Sequence, residues 1–256
     1  MPSMRKGKVT DGWQERADRL EELLKTEDPN RFLDWDVIRK GMVIGNPAFI
    51  LQQLRELRLR PDWDRWAEAI REVDTGSPRP CSFYPKSTGT LIRHAYYLMQ
   101  MEQTVGAQID EFDFVFEFGG GYGSMCRLFH NLGFRGQYLI YDLPPFCKLQ
   151  DYFLGTIGVS ALSISDFDVL EKTIAQSSSR RAAFVATWSL SETPLLMRDK
   201  IFALIDRFSA FLITYQRQFH EIDNVACFHA WTDSRPEVDW REWEIELGAN
   251  CLIGAS

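Results

Sequence analysis

The chain has few cysteines and none of the spacings that make cysteine structural. The five, Cys81, Cys126, Cys147, Cys227 and Cys251, are odd in number, scattered over 256 residues, and include no CxxC pair. That argues against a disulfide framework and a cysteine zinc site, and sets a reducing cytoplasm as the expected compartment. No apolar run approaches the ~18 residues of a spanning helix. Met1 to Thr10 is basic and polar with no apolar segment behind it, so neither a membrane partner nor a signal peptide is expected. Positive charge is also short: 29 Lys plus Arg stand against 36 Asp plus Glu, a formal net charge of -7. Phosphate contacts need clustered cations, so no nucleic-acid partner is expected. HxxE and HExxH patterns are missing, and no metal is expected, although Glu192, Asp223 and His220 are the side chains that would have to assemble one. Internal repeats and low-complexity tracts are absent as well.

What remains is a globular composition. Hydrophobic residues make up 45% and charged residues 25%, and 18 Phe, 8 Trp and 8 Tyr supply bulk for a substantial core. Residues 11 to about 105 read as mostly helical: Trp13, Ala17, Leu20, Leu23 and Leu24 recur at helical spacing, and similar stretches cover about 35–57, 62–73 and 87–101. Gly45-Asn46-Pro47 reads as a break, and the proline-rich stretch 74–86 as a loop.

From residue 112 the texture changes to short apolar runs alternating with helical segments. Strands are expected at 112–118, 137–141, 159–164, 182–188 and 210–215, with helices at 124–132, 146–154 and 195–208 between them. This alternation marks a parallel sheet covered on both faces. Residues 241–247 alternate Trp243, Ile245 and Leu247 with glutamates, a strand with one wet face, and 251–253 reads as its antiparallel return. The chain thus divides into an N-terminal helical cap or lid, 1–105, and an α/β domain, 106–256. The helices of the first part are candidates for a homodimer interface.

The strongest constellation is Glu117-x-Gly119-x-Gly121-x-Gly123, between a strand and a helix. Glycines let backbone approach a ligand closely, and the helix start offers free N–H groups and a positive dipole end. A dinucleotide GxGxxG would need glycine where Ser124 or Cys126 stands, and no Gly-Lys-Ser/Thr follows for a Walker loop. The pattern suits a cofactor without a pyrophosphate. Nineteen residues beyond Gly123, Asp142 ends the second strand, where an acid in doubly wound sheets accepts from a ribose diol.

Glu117 to Gly123 resembles motif I of the class I S-adenosylmethionine-dependent methyltransferases, and Asp142 matches their ribose-binding acid. The resemblance narrows toward the sugar O-methyltransferases of bacterial polysaccharide and natural-product clusters at Glu117–Gly123, at Asp142-Leu143-Pro144 with Leu149, Gln150, Tyr152 and Leu154, and at Ser189-Leu190-Ser191-Glu192. It covers about residues 85–215. It implies a Rossmann-like, doubly wound, mostly parallel sheet and S-adenosyl-L-methionine as cofactor. The cofactor contacts it implies are Glu117, Gly119, Gly121, Tyr122, Gly123, Asp142, Leu143, Thr187 and Ser189, with Asp166 near the adenine, as a plain turn residue otherwise. Tyr84 and Arg93, ahead of the first strand, are candidates for the cofactor's carboxylate.

Methyl transfer to a hydroxyl requires alignment of the acceptor and removal of its proton. Acceptor groups are expected beyond the fourth and fifth strands, where Ser191, Tyr215 and Arg217 stand as substrate contacts and Glu192 and His220 as candidate bases. His130 and His229 read as surface and packed histidines. The expected activity is O-methylation of a sugar-like small molecule. Methylation of another metabolite, on N or O and with a phosphorylated acceptor included, remains open, as does a cofactor-binding partner subunit without catalysis.

Overall fold

The computed structural model describes residues 8–43, 47–177, 179, 181–246 and 248–256. The break expected at Gly45-Asn46 and the strand end expected at Leu247 lie outside them. The N-terminal third is helical: α1 (Lys8–Thr26), a 3-10 turn (Pro29–Asp34), α2 (Asp36–Met42), α3 (Pro47–Arg58), α4 (Trp63–Ala69) and α5 (Gly89–Val105). Then follow β1 (Phe114–Phe118), α6 (Ser124–Asn131), β2 (Gln137–Tyr141), α7 (Pro144–Thr156), β3 (Leu162–Ile164), α8 (Phe167–Gln176) and β4 (Ala182–Thr187). After a 3-10 turn (Ser189–Glu192) come α9 (Leu195–Leu204), β5 (Ala210–Gln216), a ribbon of β6 (Gln218–Phe219) and β7 (Ile222–Asp223), α10 (Asn224–Asp233), β8 (Asp239–Glu246) and β9 (Ala249–Ala255).

Seven strands form one sheet in the order β3-β2-β1-β4-β5-β9-β8. The first five are parallel, with Phe118 beside Tyr141 and Glu117 beside Val185. β9 runs antiparallel between β5 and the edge strand β8. The fold is therefore the expected doubly wound, mostly parallel α/β sheet. The wet-faced strand and its return are β8 and β9, and the return is the inner strand of the pair.

Alternation along each strand builds two cores. Phe114, Phe116 and Phe118 point to one face, where they meet Phe184, Phe208 and Phe211 under α8, α9 and α10. Val115 lies on the other, with Ile140, Val185 and Leu212. That second core continues through Leu98 of α5 into Leu54 of α3, Trp66 of α4 and Leu20 of α1. The apolar core thus crosses the 105/106 line drawn from sequence texture. A two-pronged ion pair, Arg65 to Glu102 at 2.7 and 3.1 Å, ties α4 to α5.

Helices α8 and α10 and the β6–β7 ribbon were not expected. α8 starts at Asp166, whose carboxylate accepts from Val169 N–H at 3.0 Å, and α10 at Asp223, which accepts from Ala226 N–H at 3.0 Å. Among the described residues no helix is long and apolar enough to cross a membrane, and all five cysteines are free thiols.

Candidate active site

The parallel strand order reverses between β1 and β4, so the loops leaving these two strands diverge and open a crevice at their carboxyl ends. The loop after β1 is the glycine segment. Gly119 has φ +72° and Gly121 φ +59°, the left-handed region that favours glycine. At Gly119 the space a Cβ would take is filled by Ser189, from the loop after β4, whose hydroxyl donates to the Phe118 carbonyl. The two loops lock together through this contact.

Asp142 ends β2 and holds the glycine loop from the other side. Its Oδ2 accepts from Gly121 N–H at 3.0 Å and from Gln150 Nε2 at 3.0 Å, while Oδ1 accepts from Leu143 N–H at 2.8 Å. Gln150 also donates to the Gly121 carbonyl at 2.9 Å, so one amide clips acid and loop. Burial pushes the Asp142 carboxyl up to about 7, against three N–H donors that pull it down. Glu117 is 1% exposed beneath the loop. Burial pushes its carboxyl up to about 8, although Tyr138 donates its hydroxyl to it at 2.9 Å.

Two cavities meet at this loop. One, of about 290 Å³, is an apolar slot between Tyr141, Leu143, Phe146, Pro194 and Met197 with Asp142 at its edge. The other, of about 620 Å³, is wider and mixed in polarity, and reaches from Glu117 to α5, Glu246 and His220. Trp13, Met42, Gly119, Gly121, Ser189 and Glu192 line both. Helix α1 thereby forms a wall of the crevice, held to α7 by Lys148 and Glu21 at 2.8 Å.

Glu192 stands where the cavities join. Its Oε2 accepts from Trp13 Nε1 at 2.7 Å and Oε1 from Gln216 Nε2 at 3.3 Å. Burial raises its carboxyl above the ordinary range, and the Trp13 and Gln216 donors offset part of that. His220, with φ +51°, sits exposed at the tip of the β6–β7 ribbon on the rim of the wider cavity. Thr187 and Tyr122 also line that cavity, although Tyr122 is mostly packed between Phe32 and Phe153.

Other expected site residues are placed elsewhere. Gly123 faces Leu154 of α7, and Ser191 is fully buried with its hydroxyl 2.6 Å from Trp188 O and 2.8 Å from Gln216 Oε1, a brace rather than a substrate contact. Tyr215 lines neither cavity; strand alternation turns it into the core with Phe228, where its hydroxyl meets Glu242. Arg217 is exposed and reaches Asn250 Oδ1 at 3.3 Å. Tyr84 packs against Trp63 and Arg58, outside both cavities. Asp166 is the exposed α8 cap, with Ser165 in its place on the slot wall. Arg93 does reach the wider cavity, but its Nη2 is paired with Glu246 at 3.0 Å, which leaves less charge for a cofactor carboxylate. His130 is half-buried against Phe134 and Tyr138, and His229 is on the surface, 2.7 Å from Glu242.

Several site residues escaped the sequence reading. Trp188 lines the wider cavity with φ +69°, a conformation costly for a bulky residue and one that turns β4 into the 3-10 turn. Arg198, fully buried, donates to the carbonyls of Ser191 at 2.5 Å and Thr193 at 3.0 Å and to Asn224 Oδ1 at 2.6 Å. It braces the turn on both sides of Glu192. Nothing local in the sequence marked either residue. Among the described residues no group of three His, Cys, Asp or Glu side chains gathers as a metal would require.

No protein-family model matches the chain, and no curated protein matches it by sequence. Solved structures do overlap it. An SAH-bound methyltransferase of Podospora anserina, PaMTH1, is 10% identical over 100% of both chains with a TM-score of 0.46. An rRNA methylase from Streptococcus thermophilus is 13% identical over 62% of this chain and 94% of its own, with a TM-score of 0.47. The methyltransferase domain of bacterial CtHen1 is 10% identical over 64% of this chain and 97% of its own, with a TM-score of 0.46. Scores of this size at such identities add nothing to what strand order and site geometry already give.

Proposed function

We propose that the chain is an S-adenosyl-L-methionine-dependent methyltransferase acting on a hydroxyl of a sugar-like small molecule. The observation that carries this reading is Asp142, at the edge of an apolar slot, accepting at 3.0 Å from the N–H of Gly121, which lines both that slot and the wider cavity of mixed polarity. The residues present fit the cofactor. The slot offers Tyr141 and Phe146 to a flat base, Asp142 Oδ1 keeps acceptor capacity for a ribose hydroxyl, and Gly119 and Gly121, without side chains, let the amino-acid end approach the loop closely. The sequence resemblance at Glu117–Gly123 and Ser189–Glu192 supports the same assignment.

When bound, the cofactor supplies a sulfonium methyl group as electrophile. The chain's own part is to orient the acceptor oxygen toward that carbon, exclude water and take up the proton. Glu192 is the proposed proton acceptor, through a carboxylate oxygen; its position lining both cavities and its carboxyl raised by burial support that role. His220, on the rim, is the alternative acceptor. The proposed partner is a small molecule rather than nucleic acid or membrane, which the net charge of -7 and the recessed cavity support.

Incubation with methyl-labelled cofactor and a panel of sugars, nucleotide sugars and amines tests the reading. Label on a sugar oxygen is expected. Label only on nitrogen or on a phosphorylated metabolite would move the acceptor class, and cofactor binding without any transfer would favour a non-catalytic partner subunit. Glu192→Gln is expected to lower turnover about 10²-fold with cofactor affinity kept. Full turnover in that variant would remove Glu192 as the base.

A further inference from the structure

Helix α5 carries a polar row along the wider cavity. Arg93, His94 and Tyr97 all line the wider cavity, and Arg93 is 3% and Tyr97 0% exposed. Arg93 Nε, His94 Nδ1 and the Tyr97 hydroxyl are buried without a hydrogen-bond partner in the protein. A buried polar group left unpaired costs about 1–3 kcal/mol, and folded proteins leave few of them. Three on one helix, each belonging to a residue that lines the same cavity, are the nearest unsatisfied groups to whatever fills it.

Their charge state narrows what they can bind. Arg93 is balanced by Glu246 at 3.0 Å, and burial drives the His94 imidazole down to about 3, so it is neutral near pH 7. Burial likewise keeps the Tyr97 phenol protonated. The row therefore presents hydrogen-bonding atoms with no net charge. The same cavity holds the indoles of Trp13 and Trp188 and the ring of Phe219, apolar faces set beside the polar row. Of the three cations that line the cavity, buried Arg93 is paired with Glu246, exposed Lys40 lies 3.8 Å from Asp36, and exposed Arg16 stacks over Trp13, so the polar row itself offers an anion no unpaired charge. A ring bearing several hydroxyls matches both the aromatic faces and the uncharged row.

We propose that Arg93, His94 and Tyr97 form the acceptor-recognition wall, and that the acceptor is a neutral polyhydroxylated ring whose hydroxyls pair with Arg93 Nε, His94 Nδ1 and the Tyr97 hydroxyl. This rests on the methyltransferase reading and assigns the acceptor end of that site to a helix of the N-terminal segment.

The test separates the two readings. S-adenosylhomocysteine is titrated into the wild type, Tyr97→Phe and His94→Gln, each checked for an intact melt. Methyl transfer is then assayed on methyl α-glucoside, methyl α-mannoside, methyl α-rhamnoside and myo-inositol, with glucuronic acid and glucose 6-phosphate as charged counterparts. S-Adenosylhomocysteine affinity is expected to stay within about twofold in both variants, while KM for a neutral acceptor rises about fivefold or more with a smaller change in kcat. The proposal is overturned if either variant loses product binding about tenfold, which would give the row to the cofactor. Unchanged KM in both variants overturns it as well, as does a wild type that binds the product yet methylates no neutral member of the panel. A wild type that binds no S-adenosylhomocysteine at all would overturn the underlying reading, and this one with it.

Discussion

Glu117 combines near-complete burial with a carboxyl pushed up to about 8, so in the free protein near neutral pH it is largely protonated. A bound cation favours its ionised form. Binding of the positively charged cofactor should therefore release a proton below about pH 8, and affinity should rise with pH until that point and then level. Asp142, pushed up to about 7, adds to the lower part of the same rise. Glu117→Gln should weaken binding and flatten the upper part, as titrations at several pH values would show. The same variant tests stability with the opposite sign. A carboxyl whose folded pKa is raised favours the fold below its unfolded value, and that contribution is lost as pH rises through the folded value. Glu117→Gln should thus melt above the wild type at about pH 9 and converge with it near about pH 5. Glu192 offers a second check, because Trp13 donates to its carboxylate at 2.7 Å and lowers its pKa. Trp13→Phe should shift the acidic limb of the rate profile upward, and an unmoved limb would mean that Glu192 does not govern it.

At the scale of elements, the turn after β4 is where site and stability meet. Arg198 satisfies carbonyls at Ser191 and Thr193 from a fully buried position. Arg198→Met should cost about 2–4 kcal/mol in urea unfolding and lower turnover together, because it frees the segment that holds Glu192. Gly119→Ala should push the two loops apart and weaken cofactor binding, since the new methyl overlaps Ser189; wild-type cofactor affinity in that variant would contradict the packing. How much of this was legible depended on pattern strength. The Phe112–Phe118 alternation ending in glycines placed β1 and its loop, and Asp142 followed at the end of the next apolar run. Proximity to a strand end did not decide which face a side chain takes. Tyr215 and Arg217 were expected at the site on that ground, yet Tyr215 shares the parity of Phe211 and Ile213 and is buried with them, outside both cavities. The α5 row was legible only in part: Arg93 was a candidate for the cofactor's carboxylate, but helical spacing did not say that His94 and Tyr97 line the same cavity. Trp188 and Arg198 act through backbone geometry and carbonyl contacts, which leave no residue-type signature.

For the molecule as a whole, the core on the Val115 face joins α1, α3, α4 and α5 to the sheet. A chain built this way should unfold in a single calorimetric transition, and the segment 106–256 alone should not fold; two transitions would restore a separate N-terminal domain. The crevice also depends on that union, since α1 and α5 supply its walls while the strand ends supply its floor. Isothermal titration of the full chain with S-adenosyl-L-methionine tests the central claim most directly. One cofactor bound per chain, lost in Gly121→Arg, is the predicted result. Absence of binding in folded wild-type protein would contradict the account.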